Sequence, residues 1–154
     1  MGVDKAFADV AGRPMVEVAV AALTDAEAID VRIVGGDVDR LVSNGFAAMA
    51  DRWPGEGPLG GIIDAIEWSK GLQADHVVVL GCDLPCAASD TVKELANRAA
   101  RSPNSVVVPV VDARPQWLHA CWPTAVLPVL RRSFSCGERA LHRAVEKLPV
   151  LQVE

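Results

Sequence analysis

Apolar and polar positions along this chain follow two rhythms, and the change from one to the other marks the elements. Met15, Val16, Val18, Ala19, Ala22 and Leu23 fall at helical spacing behind Pro14, a residue suited to a first helical turn. Asp30–Gly36 is a β-branched run closed by two glycines, which predicts a strand and a turn. A short helix over Asp37–Ser43 and a weak strand over Phe46–Ala50 follow. Asp51–Gly57, rich in Pro and Gly, reads as a loop. Pro58–Gly71 predicts a helix that buries Ile62, Ile63, Ala65, Ile66 and Trp68 and stops at Gly71.

The second half begins with His76–Gly81, whose continuous run Val77-Val78-Val79-Leu80 predicts a strand covered on both faces. Ser89 and Asp90 can cap a helix running to about Arg101. Ser105–Val111 reads as an apolar strand and Gln116–Cys121 as a further one. Helices are expected from about Pro123 to Arg132 and from about Glu138 to Leu148, before a closing strand over Pro149–Val153. Strands alternating with helices imply an α/β fold with a mostly parallel sheet wrapped by helices. No internal repeat or linker interrupts the pattern, so residues 1–154 are expected to form a single domain. In such sheets ligands bind beyond the carboxyl ends of the strands, which selects Gly35–Gly36, Asp51 and Cys82–Pro85 for inspection.

Composition narrows the class without moving it. The 154 residues suit one domain, and 51% apolar with 23% charged residues describes a soluble globular protein. No apolar run approaches the roughly 20 residues of a membrane helix. Asp4, Lys5 and Asp9 interrupt the start where a signal peptide would be apolar. A net charge of −5 without a clustered basic face argues against nucleic acid as a partner. Cys82, Cys86, Cys121 and Cys136 lack paired metal-ligand spacing, and His76, His119 and His142 do not complete a set with them. Buried or half-buried thiols in a reducing cytoplasm are therefore expected. Asp83 beside Cys82 disfavours a nucleophilic thiolate.

Three features can carry chemistry. Asp83, just past the Val77–Leu80 strand, should project into the crevice rather than into bulk water. It can cap the following helix, ligate Mg²⁺ beside substrate phosphates, or accept a phosphoryl group as in a signalling receiver. The receiver's acidic pair and lysine are not in place here. Gly57-Pro58-Leu59-Gly60-Gly61 opens a helix, where glycines admit a ligand to the backbone and free N–H groups meet a purine edge or an anion. Tight packing against the sheet is the alternative use of such glycines. Lys5 is one of only four lysines against eleven arginines, which makes it a candidate phosphate-binding charge or else a solvated terminal residue.

Together these residues resemble the molybdenum cofactor guanylyltransferases, the MobA-type nucleotidyltransferases. Met1-Gly2-Val3-Asp4-Lys5-Ala6 resembles the end of that family's Gly-rich signature, LAGGxSxRMGxDK, and Gly12-Arg13-Pro14-Met15 its G-[KR]-P-[LM] segment. Asp51 followed by Gly57-Pro58-Leu59-Gly60-Gly61 resembles the D-x(5–7)-GPLAG element. Cys82-Asp83-Leu84-Pro85 matches the CD-x-P element, and Gly137-Glu138-Arg139 the late GER segment. Order and spacing agree over nearly the whole chain.

The resemblance implies a three-layer, Rossmann-like nucleotidyltransferase fold that transfers GMP from GTP to molybdopterin and releases pyrophosphate. By that resemblance Lys5 and Asp83 are catalytic, with Lys5 neutralising phosphate charge and Asp83 holding Mg²⁺. Asp51, Gly57, Pro58, Leu59 and Gly60 join them in binding the nucleotide, with guanine recognition as one option for Asp51. Other implied partners are cofactor-biosynthesis proteins and molybdoenzyme chaperones, in the cytoplasm. Two segments depart from the pattern: Gly35-Gly36-Asp37 replaces an asparagine segment, and Gln116-Trp117-Leu118 replaces a proline after a polar pair. The family's first strand and Gly-rich loop would lie before Met1, taken as the methionine of the RMG triplet. They are thus expected to be missing, and the 154-residue form is expected to turn over little or not at all. A cytidylyltransferase or another small-molecule nucleotidyltransferase is the alternative within the class, and a non-catalytic binding relative the alternative outside it.

Overall fold

In a computed structural model, which describes residues 5–154 apart from the Lys5 side chain, strands and helices alternate along the chain. They gather into two units. One comprises the chain up to Ala50 with Leu80–Glu94, the other Asp51–Val79 with Leu95–Glu154.

In the first unit the strands are two residues long. β1 (Asp9–Val10) and β2 (Arg13–Pro14) form an antiparallel hairpin, which leads into α1 (Met15–Asp25). β3 (Ile33–Val34) leads through α2 (Val38–Ser43) to β4 (Ala48–Met49), its parallel partner, with Ile33 opposite Ala48. Asp37 starts α2 by accepting a hydrogen bond from the Arg40 backbone N–H at 3.0 Å. The buried centre is Val16, Ile33 and Leu41, against which Phe7, Val20, Phe46 and Cys82 pack half-buried.

The second unit is layered. It holds α3 (Pro58–Gly71), β5 (His76–Leu80) as far as Val79, and α4 (Ser89–Arg101) from Leu95. Next come β6 (Val106–Val111), β7 (Arg114–Pro115) and β8 (His119–Pro123). The chain then adds α5 (Leu127–Ser135), α6 (Leu141–Ala144) and β9 (Val150–Val153). The sheet runs β5-β8-β6-β7, and β9 pairs with β6 as well. Side chains alternate across β6. Val106 and Val108 join Leu59, Ile62, Ile66, Trp122 and Leu130 on the face under α3 and α5. Val107 joins Leu95, Ala99 and Cys121 on the face under α4. Helices thus cover both faces, and the expected α/β layering holds.

Several details differ from the pattern-based reading. The sheet is mixed, since β6 pairs antiparallel with β7 and β8 but parallel with β9. The hairpin β6–β7 carries no turn signal in the sequence, because Asp112 and Ala113 adopt left-handed φ values of 50° and 60° without the usual Asn-Gly signature. The covered stretches are the first half of β6, with Val106, Val107 and Val108 entirely buried, and β8 from Ala120 to Pro123. β5 is half-buried throughout, because among the described residues it pairs only with β8. The last helix starts at Leu141, not Glu138. The Glu138 carboxylate takes up the N–H groups of Arg139 and Ala140, and Ala140 is extended. Cys121 is buried, and burial pushes its thiol up to about 12. Cys86 and Cys136 are exposed, against expectation, because they sit on an irregular stretch and a helix end. No helix among the described residues is long and apolar enough to cross a membrane.

Candidate functional site

The second unit brings Asp51 and the Gly57–Gly60 segment into one structure. Asp51 is half-buried, and its Oδ1 accepts the Trp53 backbone N–H at 2.8 Å, closing a tight local turn. Gly57 precedes α3 at φ +86° and ψ 176°, a conformation that side-chain-bearing residues avoid. No side chain caps α3 and no acid lies in its first turn, so its leading N–H groups stay available to an anion or a base edge. Pro58 is exposed at the helix start, whereas Leu59 is fully buried and can offer a ligand only its backbone.

Gly60 has a different use from the one expected. A Cβ there would stand 3.2 Å from Trp53 Cε3 and 3.3 Å from Trp53 Cβ. The glycine therefore admits the Trp53 ring, and only its backbone N–H is left to offer a ligand. That ring meets Phe134 at 4.9 Å between centroids and carries the Arg52 guanidinium at 4.4 Å from its own centroid. Arg139 stacks on Phe134 at 3.8 Å and donates to Glu56 at 2.6 Å and to the Phe134 carbonyl at 2.7 Å. Alternating guanidinium and aromatic groups thus fasten the 51–57 loop to α5 and to the GER segment.

An ion-pair chain runs beside this stack. Arg52 pairs through Nε with Asp64 and through a terminal nitrogen with Glu67, which also pairs with Arg131 of α5. Asp64 additionally accepts the Arg52 backbone N–H at 3.1 Å. None of Arg52, Asp64, Glu67 and Arg131 stands out in the sequence pattern by itself. A usable signal existed in Asp64, a charge within the apolar run Ile62–Ile66. Glu138 accepts from the N–H groups of Ala140 and Arg139 and pairs with Arg143 at 2.9 Å. The Ala140 N–H is the leading cause that holds its carboxyl below the usual range, and the Arg139 N–H and the Arg143 charge act the same way. His119 on β8 is shifted down by burial and favours the neutral form.

Asp83 lies in the first unit, on the turn after β5. It was expected to face a crevice, but it is exposed, because Cys82 takes the inward position and packs toward Val16, Ile33 and Leu41. Asp83 pairs with no cation among the described residues. A single free carboxylate suits Mg²⁺, which keeps several waters and takes its remaining oxygens from phosphates. Among the described residues no group of three or more His, Cys, Asp or Glu gathers into a metal cage. Lys5 opens a short 3₁₀ turn, Lys5–Phe7, but its side chain lies outside the described residues, as do residues 1–4 of the N-terminal signature.

Comparison with known proteins gives a consistent answer. The model of the MobA-like NTP transferase domain matches residues 1–151. The molybdenum cofactor guanylyltransferase of Rhodobacter capsulatus is 30% identical, over 93% of this chain and 72% of that protein. A probable molybdenum cofactor guanylyltransferase of Bacillus licheniformis is 29% identical, over 99% and 77%. In fold, the chain resembles molybdopterin-guanine dinucleotide biosynthesis protein A of Archaeoglobus fulgidus, with TM-score 0.80 and 20% identity over 99% of this chain and 75% of that one. It also resembles 2-C-methyl-D-erythritol 4-phosphate cytidylyltransferase of Thermus thermophilus, with TM-score 0.73 and 20% identity over 97% and 83%.

Proposed function

The chain belongs to the MobA-like NTP transferase family, and from that premise we propose that it transfers GMP from GTP to molybdopterin, releasing pyrophosphate. It acts in this reading as a single nucleotidyltransferase domain of the cytoplasm, serving cofactor-biosynthesis proteins and molybdoenzyme chaperones. The observation that carries the reading is that the loop bearing Asp51 is fastened to α3, Arg52 on Asp64 and Trp53 against Gly60, while the start of α3 is left uncapped. Asp51 Oδ1 is engaged by Trp53, which leaves Oδ2 to accept from the N1–H and N2–H₂ donors of guanine. The N–H groups of Leu59 and Gly60 in the uncapped first turn of α3 serve the nucleotide's acceptors.

Phosphoryl transfer asks the protein for positioning and charge stabilisation rather than covalent chemistry. Lys5 neutralises phosphate charge, and the Asp83 carboxylate holds Mg²⁺. Bound there, Mg²⁺ supplies charge neutralisation across the phosphate oxygens. The attacking oxygen comes from the molybdopterin phosphate, and pyrophosphate leaves in line with it.

Pyrophosphate release with Mg²⁺ and molybdopterin tests the reading, on this chain and on one extended by the family's Gly-rich loop. Release is expected from the extended chain with GTP and not with CTP, the substrate class of a cytidylyltransferase among the structural neighbours, and little or none from the 154 residues alone. Preference for CTP would move the assignment to the cytidylyl branch. Nucleotide binding without release would favour a non-catalytic relative.

A further inference from the structure

We infer that Asp64 is a positioning residue of the nucleotide site, a buried carboxylate that acts through Arg52 to hold Asp51 against the first turn of α3. The inference rests on the reading of Asp51 and the α3 start as nucleotide-binding. Asp64 is 1% exposed, in a helix whose neighbouring positions Ile62, Ile63, Ala65 and Ile66 are core. A leucine would serve that core at least as well, since a buried ion pair rarely outdoes apolar packing in stability. What the carboxylate adds is direction. Its Oδ2 accepts the Arg52 backbone N–H and its Oδ1 the Arg52 side chain, so one group restrains both the main chain and the side chain of residue 52.

Asp51 is the preceding residue, and Trp53, the next, donates its N–H to Asp51. Residues 51–53 are thereby referred to a single point on α3. Gly60, Asp64 and Glu67 stand at i, i+4 and i+7, one stripe of the helix. Gly60 admits Trp53, Asp64 takes Arg52, and Glu67 takes the outer end of the same guanidinium. The stripe holds Arg52 and Trp53, the two residues that follow Asp51, on the helix whose N-terminus would meet the rest of a bound base.

The test measures GTP–Mg²⁺ affinity by calorimetry and amide exchange over residues 51–57, on the full chain. Asp51→Ala is the control for the nucleotide reading. Asp64→Asn should weaken GTP binding about tenfold, the scale of one charge-assisted hydrogen bond. It should also speed exchange at Arg52 and Trp53 while β6 stays protected. The Arg52→Met/Asp64→Leu double variant removes both charges, so its melting temperature should hold while the binding loss persists. Wild-type affinity in either folded variant, with Asp51→Ala impaired, overturns the inference. If Asp51→Ala also binds like wild type, the nucleotide reading itself fails. The tether is then decided by exchange alone: acceleration in Asp64→Asn upholds it and unchanged rates overturn it.

Discussion

The two units hold their candidate chemistry in opposite ways. In the second, Asp51 sits on a loop fastened to α3 and α5 by ion pairs and stacked rings, above a core that includes the fully buried Trp122. In the first, Asp83 stands exposed on a turn whose unit, among the described residues, centres on the small cluster Val16, Ile33 and Leu41 and has strands of two residues. Base recognition requires a fixed pattern of donors and acceptors, which a locked loop provides. A Mg²⁺ ligand meets a cation that brings its own water, and a free carboxylate can follow it. On the proposed reading, rigidity is placed where shape is read, and latitude where charge is met.

The contrast can be broken most forcefully in the cores. Trp122→Ala should cost about 3–5 kcal/mol in urea unfolding. Leu41→Ala should fall near 2 kcal/mol, the low end for such truncations, since a thin core relaxes around the gap. Equal losses would erase the distinction between dense and sparse units. Next in size, Asp83→Ala should lower GTP-dependent pyrophosphate release about 100-fold or more in the chain extended by the family's Gly-rich loop. It should leave stability within about 0.5 kcal/mol, because the side chain is exposed and pairs with no cation among the described residues. A marked drop in melting temperature would instead assign Asp83 a structural part.

Smaller effects sharpen the picture of the locked loop. Gly60→Ala drives a methyl group into Trp53 and should destabilise by about 1–3 kcal/mol. Gly61→Ala, one residue on and open to space, should be neutral or stabilising, so the difference between the two melting temperatures isolates the clash. Smallest is the acid response of Glu138. Its folded-state carboxyl is held low, so its stabilisation is present above the ordinary carboxylate range and is lost as pH falls through the lowered value. Glu138→Gln should flatten that part of the acid unfolding curve. An unchanged acid limb would show that the hydrogen bonds to Arg139 and Ala140 contribute nothing.

Local signals made much of this structure legible. Pro58 at a helix start and Gly71 at its end mark the observed bounds of α3, and the β-branched run at Val106–Val111 marks β6 to within a residue. Asp51 and Gly57–Gly60 could be singled out as candidates because they are neighbours in sequence, a loop and the helix start it leads into. The ion-pair chain was not, since Arg52, Asp64 and Arg131 meet only after α3 and α5 pack. The exposure of Asp83 was hidden for a related reason. Whether a residue after a strand turns inward depends on which neighbour takes the core position, and here Cys82 takes it.

Gly60 stands where the resembled GPLAG element carries alanine, and the Trp53 ring occupies the space that an alanine methyl would need. A methyl at position 60 therefore requires the indole to give way by a few tenths of an ångström. The residue at 60 and the ring at 53 are coupled through packing, so a change at either is felt first in the seating of the 51–57 loop and only through it at the α3 start.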